Sequence, residues 1–108
     1  MCGRFVMPRA SADLVSIFHA AGAKGPEVMP SWNVAPTQRI NIVTERLLPD
    51  AAETQRMVET ARWGLVPVWA KDTKGAARLI NARSETVTEK PSFRSAAARR
   101  RGLVPAYL

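Results

Sequence analysis

A chain of 108 residues holds at most one modest domain, and none of its apolar runs is long enough to span a membrane. One histidine and one cysteine, 17 positions apart, cannot furnish the three or four ligands of a usual metal centre, and a lone cysteine excludes an internal disulfide framework and fits a reducing cytoplasm. The formal charge of +7, from 16 basic and 9 acidic residues with twelve arginines among the basic ones, favours a polyanionic partner, most simply nucleic acid, although coding bias that also enriches alanine would produce the same excess.

In chain order, residues 2–7 read as a short strand. Residues 11–21 read as an amphipathic helix with Ser11 as N-cap, Leu14, Ile17, Phe18 and Ala21 on one face, and Gly22 as the stop. Gly25-Pro26 marks a loop. His19 lies off the apolar stripe in the last helical turn, where a partly charged imidazole suits the helix dipole. Residues 30–36 read as a loop carrying Trp32, Asn33 and Pro36. Partial alternation over residues 39–48, with Ile40 and Ile42 on one side, predicts a strand; Pro49-Asp50 opens a turn, and residues 55–63 return as a second strand.

Gly64-Leu65-Val66-Pro67 then breaks out towards Trp69, and residues 70–77 read as a surface loop. Leu79-Ile80 reads as a short buried segment delivering Asn81-Ala82-Arg83-Ser84-Glu85-Thr86. Residues 92–101 read as a helix, with Pro91 just before or at its first turn and Arg99-Arg100-Arg101 as a solvated, electrostatically suited C-terminus. Gly102 ends it and Leu103-Val104 starts another strand. The fold class is therefore mixed α+β, rich in antiparallel strands. There is no P-loop and no GxGxxG motif. His19 is the only possible base for a Ser/His/Asp triad.

The amino terminus reads Met1-Cys2-Gly3-Arg4-Phe5, which is no signal peptide because no continuous apolar region follows Arg4 and Arg9. Initiator methionine is normally trimmed before a small residue, so the mature chain is expected to begin with Cys2. An α-amine and a thiol then sit on adjacent carbons of one residue. An aldehyde can form an imine with the amine, and the thiol can close a thiazolidine ring on it. Because the second step is intramolecular, it gains a large effective-concentration advantage. On its own such a cysteine could be an accident of a mobile terminus.

Four further features follow in order: WNVAPTQ at 32–38, RWGLVPVWA at 62–70, INARSET with KPSFR at 80–94, and RRGLVPA at 100–106. With the MCGRF start, this set resembles the SOS-response-associated peptidase family, also called abasic-site processing proteins. The resemblance implies a compact, β-barrel-like core with flanking helices and a positively charged cleft on which Cys2 sits. It implies binding of single-stranded DNA that contains an abasic site, capture of the sugar aldehyde by Cys2 as a thiazolidine crosslink, no cofactor, no metal, no membrane and a monomer. The older family name implies a self-cleaving peptidase step that exposes Cys2.

Residue by residue, the resemblance makes Cys2 the nucleophile and Asn81 the active-site asparagine, whose amide orients the amine or the sugar hydroxyls; an asparagine capping a turn is the plainer reading. Gly3 lets the backbone approach the sugar. Arg4 holds a phosphate, or is a surface charge. Asn33 and Pro36 sit in a loop that wedges against bases. Arg83 contacts a phosphate beside the lesion, or pairs with Glu85 along one face of an extended strand. Lys90 and Arg94 are weaker phosphate candidates. Trp63 is placed with the DNA-contacting set; Trp32, Trp63 and Trp69 each either stack on exposed bases or pack in the core.

Family members run to about twice this length, an ordinary domain size. They continue past the RRGLVPA segment into a Gly-aromatic-aromatic-Glu-Trp motif and, much further on, a His-x-Arg-Met-Pro-like segment, which supply an acid/base glutamate and histidine. Neither falls within these 108 residues, and His19 and Glu85 do not match them. The chain is thus expected to be the N-terminal part, residues 1–108, of a single abasic-site processing domain with only part of its sheet. A non-catalytic basic single-stranded-DNA-binding module and an inactive remnant are the alternatives.

Overall fold

The structure, a computed structural model, describes residues 2–50 and 52–107. Its centre is an antiparallel pair of nine-residue strands, here β4 (Arg39–Leu47) and β5 (Thr54–Arg62), in continuous register from Arg39 opposite Arg62 to Leu47 opposite Thr54. β4 is covered on both faces between Ile40 and Thr44, where Ile40, Asn41, Val43 and Thr44 are all buried. Val43 and Val58 face each other at 4% and 1% exposure, and Ile40 is buried on the same strand as Val43. These two strands fall within a residue of the ranges expected from the sequence.

The other edge of β5 carries a strand that the sequence did not announce. β2 (Gly22–Lys24) runs parallel to β5, with Gly22 opposite Met57 and Lys24 opposite Glu59, giving the order β2-β5-β4. Three residues beginning at a glycine carry too little pattern to be recognised. Their pairing places Lys24 and Arg46 on either side of Glu59, at 3.3 and 3.1 Å. The Thr44 hydroxyl donates to the same carboxylate at 2.5 Å. That bond is the chief cause that holds the Glu59 carboxyl below the ordinary glutamate range; burial opposes it, and the Arg46 and Lys24 charges assist it.

Helix α1 (Ser11–Ile17) packs Leu14, 2% exposed, against Val43 and Val58, with Met7, Val15, Phe18 and Ala20 around the cluster. The expected helix over residues 11–21 ends early, and Gly22 is not its stop. His19 adopts a left-handed φ of 53°, its N–H donates to the Ser16 carbonyl, and the Ala20 N–H donates to the Val15 carbonyl at 2.9 Å. These are the two bonds of a Schellman termination, with histidine in the place glycine usually takes. Ile17, beyond the packed stripe, is 52% exposed. Ser11 is not the cap: Ala10 is, and the Ser11 hydroxyl donates instead to Glu27, reaching both carboxylate oxygens at 2.9 and 3.0 Å.

A second, two-stranded sheet pairs β1 (Phe5–Met7) antiparallel with β3 (Ser31–Val34), Phe5 lying opposite Val34. Residues 30–36, expected as loop, thus include a strand; flanking prolines at 30 and 36 masked a run too short for alternation to show. Tyr107 closes the far side of β1, its N–H donating to the Val6 carbonyl at 2.8 Å. The strand expected at 103–104 reduces to one bridge in which Leu103 and Val43 exchange both backbone bonds at 2.9 Å. A 3-10 turn (Lys74–Arg78) occupies part of the expected surface loop, and α2 (Arg94–Arg99) is shorter than residues 92–101. The architecture is α+β; among the described residues the two sheets do not close into a barrel. No helix among them is long and apolar enough to cross a membrane.

Candidate active site at the amino terminus

Cys2 precedes β1, which carries it to the molecular surface. The residue is exposed and its thiol lies 3.4 Å from the Arg4 carbonyl. The Asn81 side-chain N–H donates to the Cys2 carbonyl at 2.7 Å. Arg4 extends from the same arm and donates through Nη1 to the Asn33 Oδ1 at 3.3 Å, while the Asn33 N–H is held by the Ser31 hydroxyl at 3.0 Å. Four residues singled out in the sequence, Cys2, Arg4, Asn33 and Asn81, are therefore brought together from three separate segments. A Cβ at Gly3 would meet nothing within 4 Å, so the chain's own packing does not require glycine there.

The site rests on a turn and a tryptophan. Pro36 and Thr37 occupy the centre of a tight turn in which the Gln38 N–H reaches the Ala35 carbonyl at 3.3 Å, with Thr37 at φ 71°. Proline followed by a left-handed residue makes this a type II turn, and the Gln38 side chain caps it by accepting the Ala35 N–H at 2.9 Å. Thr37 and Gln38 bind the backbone of Trp63 through its carbonyl and N–H, at 2.9 and 3.0 Å. The Trp63 indole N–H donates to the Ile80 carbonyl at 3.0 Å, beside Asn81, and its ring meets Phe5 at a centroid separation of 5.3 Å. Next to it, Gly64 sits at φ 132° with the Ala76 carbonyl oxygen only 2.6 Å from where a Cβ would be.

Other expectations are redistributed. Leu79-Ile80 is half-buried and forms no strand; it hangs by its carbonyls from the Leu65 N–H and the Trp63 indole. Trp63 is half-buried with its polar atom used inside the protein, whereas Trp32 and Trp69 are 73% and 59% exposed and do not pack in the core. Arg83 is exposed, and among the described residues it makes no ion pair with Glu85, whose carboxylate instead accepts the Ser84 hydroxyl. Lys90 and Arg94 lie on the turn leading into α2 and at its first residue; no side-chain bond among the described residues joins them to Cys2 or Asn81. Met1 lies outside the described residues. Phe5, Gln38 and the Ile80 carbonyl were not anticipated as parts of the site. Phe5 fell inside the short strand expected over residues 2–7, with nothing to single it out; a backbone carbonyl leaves no trace in a sequence.

An exposed thiol on a clamped terminal segment, with two side-chain amides and a guanidinium alongside, is equipped to meet a small electrophile near a negative charge. The model of the SOS response associated peptidase family matches residues 1–107. The chain belongs to this family. It is 42% identical over 108 residues to the abasic site processing protein YoaM of Bacillus subtilis, covering 98% of this chain and 44% of the relative. With YoqW from the same organism it shares 41% over 107 residues, covering 98% and 45%. The abasic site processing protein HMCES of Pongo abelii is 36% identical over 70 residues, 60% of this chain and 20% of that protein. A crystal structure of a protein from Bordetella bronchiseptica superposes with a TM-score of 0.70 at 25% identity, covering 97% of this chain and 48% of that one. The chain thus spans about half the length of the bacterial relatives in this family that it matches.

Proposed function

We propose that this SOS response associated peptidase family chain processes abasic sites by capturing the sugar aldehyde in single-stranded DNA through Cys2, acting in the cytoplasm as a monomer. With Met1 removed, the Cys2 α-amine attacks the aldehyde carbon of the ring-opened sugar. One water leaves as the imine forms. The Cys2 sulfur then adds to the imine carbon, the thiol proton passes to nitrogen, and a five-membered thiazolidine results. No electron is gained or lost and no cofactor is needed.

The observation that carries this reading is the Asn81 amide on the Cys2 carbonyl at 2.7 Å, because it holds the nucleophile's own backbone while leaving the thiol exposed. Holding one reactant still is what makes ring closure efficient. Arg4, oriented by Asn33, stands beside the nucleophile as a phosphate ligand, and Arg83 follows Asn81 by two residues on the exposed surface. Trp32 and Trp69 are the indoles that offer open faces for stacking on bases. Incubating the Met1-free protein with a single-stranded abasic oligonucleotide tests the reading. A stable covalent adduct is expected, and C2A is expected to abolish it; persistence of the stable adduct in C2A contradicts it.

A second reading is favoured by one feature of the surface. Among the described residues only three ion pairs form, on Glu45 and Glu59, so most of the arginines face water without a carboxylate. This suits non-covalent retention of single strands. It predicts equal affinity for intact and abasic strands, falling steeply with salt, and unchanged in C2A.

A further inference from the structure

We propose that Trp63 is a positioning residue, a strut that fixes Asn81 and the amino-terminal arm relative to each other and so sets the pose in which Cys2 meets an aldehyde. The inference rests on the reading of Cys2 as the nucleophile. Trp63 directly follows β5, and its backbone is held on both sides, by Thr37 and Gln38. Its side chain makes two contacts in opposite directions. The indole N–H reaches the Ile80 carbonyl at 3.0 Å, and the ring leans on Phe5 at 5.3 Å with the planes tilted by 59°.

Ile80 immediately precedes Asn81, and Phe5 lies three residues after Cys2. One rigid bicycle therefore touches both segments that the Asn81–Cys2 bond joins. The contacts form a closed ring, from Trp63 through Ile80 and Asn81 to Cys2, then along the arm to Phe5 and back. Residues 79–83 have no helix or strand of their own to place them. Their anchorage to the sheet comes from residues 63–65, where the Leu65 N–H holds the Leu79 carbonyl at 3.0 Å and the Trp63 indole holds the next one. Loss of the indole donor would leave the Ile80 carbonyl unpaired and let Asn81 drift. A side chain so employed has no N–H to spare for a nucleobase.

The test replaces the Trp63 indole by a benzothiophene, which keeps the ring and its Phe5 contact and swaps the N–H for sulfur; W63F serves as a second variant. Two quantities are read on the Met1-free chain: the side-chain amide resonance of Asn81, and the rate of adduct formation with a single-stranded abasic oligonucleotide. The resonance is expected to move towards that of a solvent-exposed amide. Capture is expected to slow roughly three- to tenfold, as loss of one ordinary hydrogen bond implies. Combined with N81A, the same replacement is expected to slow capture no further, because both changes act through one contact.

A purely structural role would lower the melting temperature yet leave the Asn81 resonance in place, and that result overturns the proposal. So do capture rates that multiply independently in the double variant. A wild-type chain that forms no adduct contradicts the crosslinking reading instead, and in that event the Asn81 resonance alone decides whether the strut exists.

Discussion

Asn81 donates to the Cys2 carbonyl at 2.7 Å, joining residues 79 apart in the chain. The bond holds the backbone of the chain's single cysteine at a point where chain ends are otherwise mobile. N81A is expected to slow capture of abasic single strands by about tenfold, the worth of one well-made hydrogen bond. N81D, which keeps the shape and lacks the donor at neutral pH, should match it. Capture of free glycolaldehyde, which needs no placement, should change little in either variant.

Arg83 is exposed and pairs with no carboxylate among the described residues. If it neutralises one DNA phosphate, R83Q weakens binding to intact and abasic strands alike. The slope of log affinity against log salt should fall by about 0.7, the value for a single phosphate on a single strand. Fluorescence anisotropy at several salt concentrations measures it.

Gly64 sits at φ 132° with a carbonyl oxygen where a side chain would begin. G64A should destabilise the fold by about 1–3 kcal/mol through backbone strain, and more if Ala76 cannot yield. A lowered urea midpoint with an unchanged slope is the expected observation. Because Gly64 neighbours Trp63, capture should slow together with the loss of stability.

Glu59 is expected to contribute to the pH dependence of stability. Its carboxyl is held low by the Thr44 hydroxyl first, with Arg46 and Lys24 assisting. A depressed folded-state value contributes stability that is fully present above the ordinary glutamate range and is lost as the pH falls through the depressed value. Lys24 and Arg46 are 58% and 64% exposed, so their share is small. E59Q should cost about 1–3 kcal/mol at neutral pH, as for hydrogen bonds to a charged group. It should also flatten the acid limb of the stability profile, measured by urea unfolding between neutral and acidic pH.

Much of this was legible in the residues. β4 and β5 announced themselves because nine-residue strands give alternation room to show, and the Cys2, Arg4, Asn33 and Asn81 set followed from motif resemblance. The short elements escaped: β2 and β3 are three and four residues long, below the length at which a period is measurable. The helix stop was misplaced because His19 takes the left-handed position that glycine most often occupies, three residues before the glycine that drew the reading. For Trp32 and Trp69 the sequence left base stacking and core packing both open, because tryptophan suits either and nothing local reveals that their segments turn outward. Trp63 read as a DNA contact because its indole was visible in the sequence and the Ile80 carbonyl was not.

Nothing bears on Cys2 more directly than the intact mass of Met1-free protein mixed with a single-stranded abasic oligonucleotide, without reductant. A species at the summed masses less one water is the expected result, stable with Cys2, and in C2A and C2S alike replaced by a labile α-amine imine that survives only when trapped with borohydride. An adduct of the same mass and stability in C2A, or none from folded wild-type protein, would contradict capture by the aminothiol of Cys2.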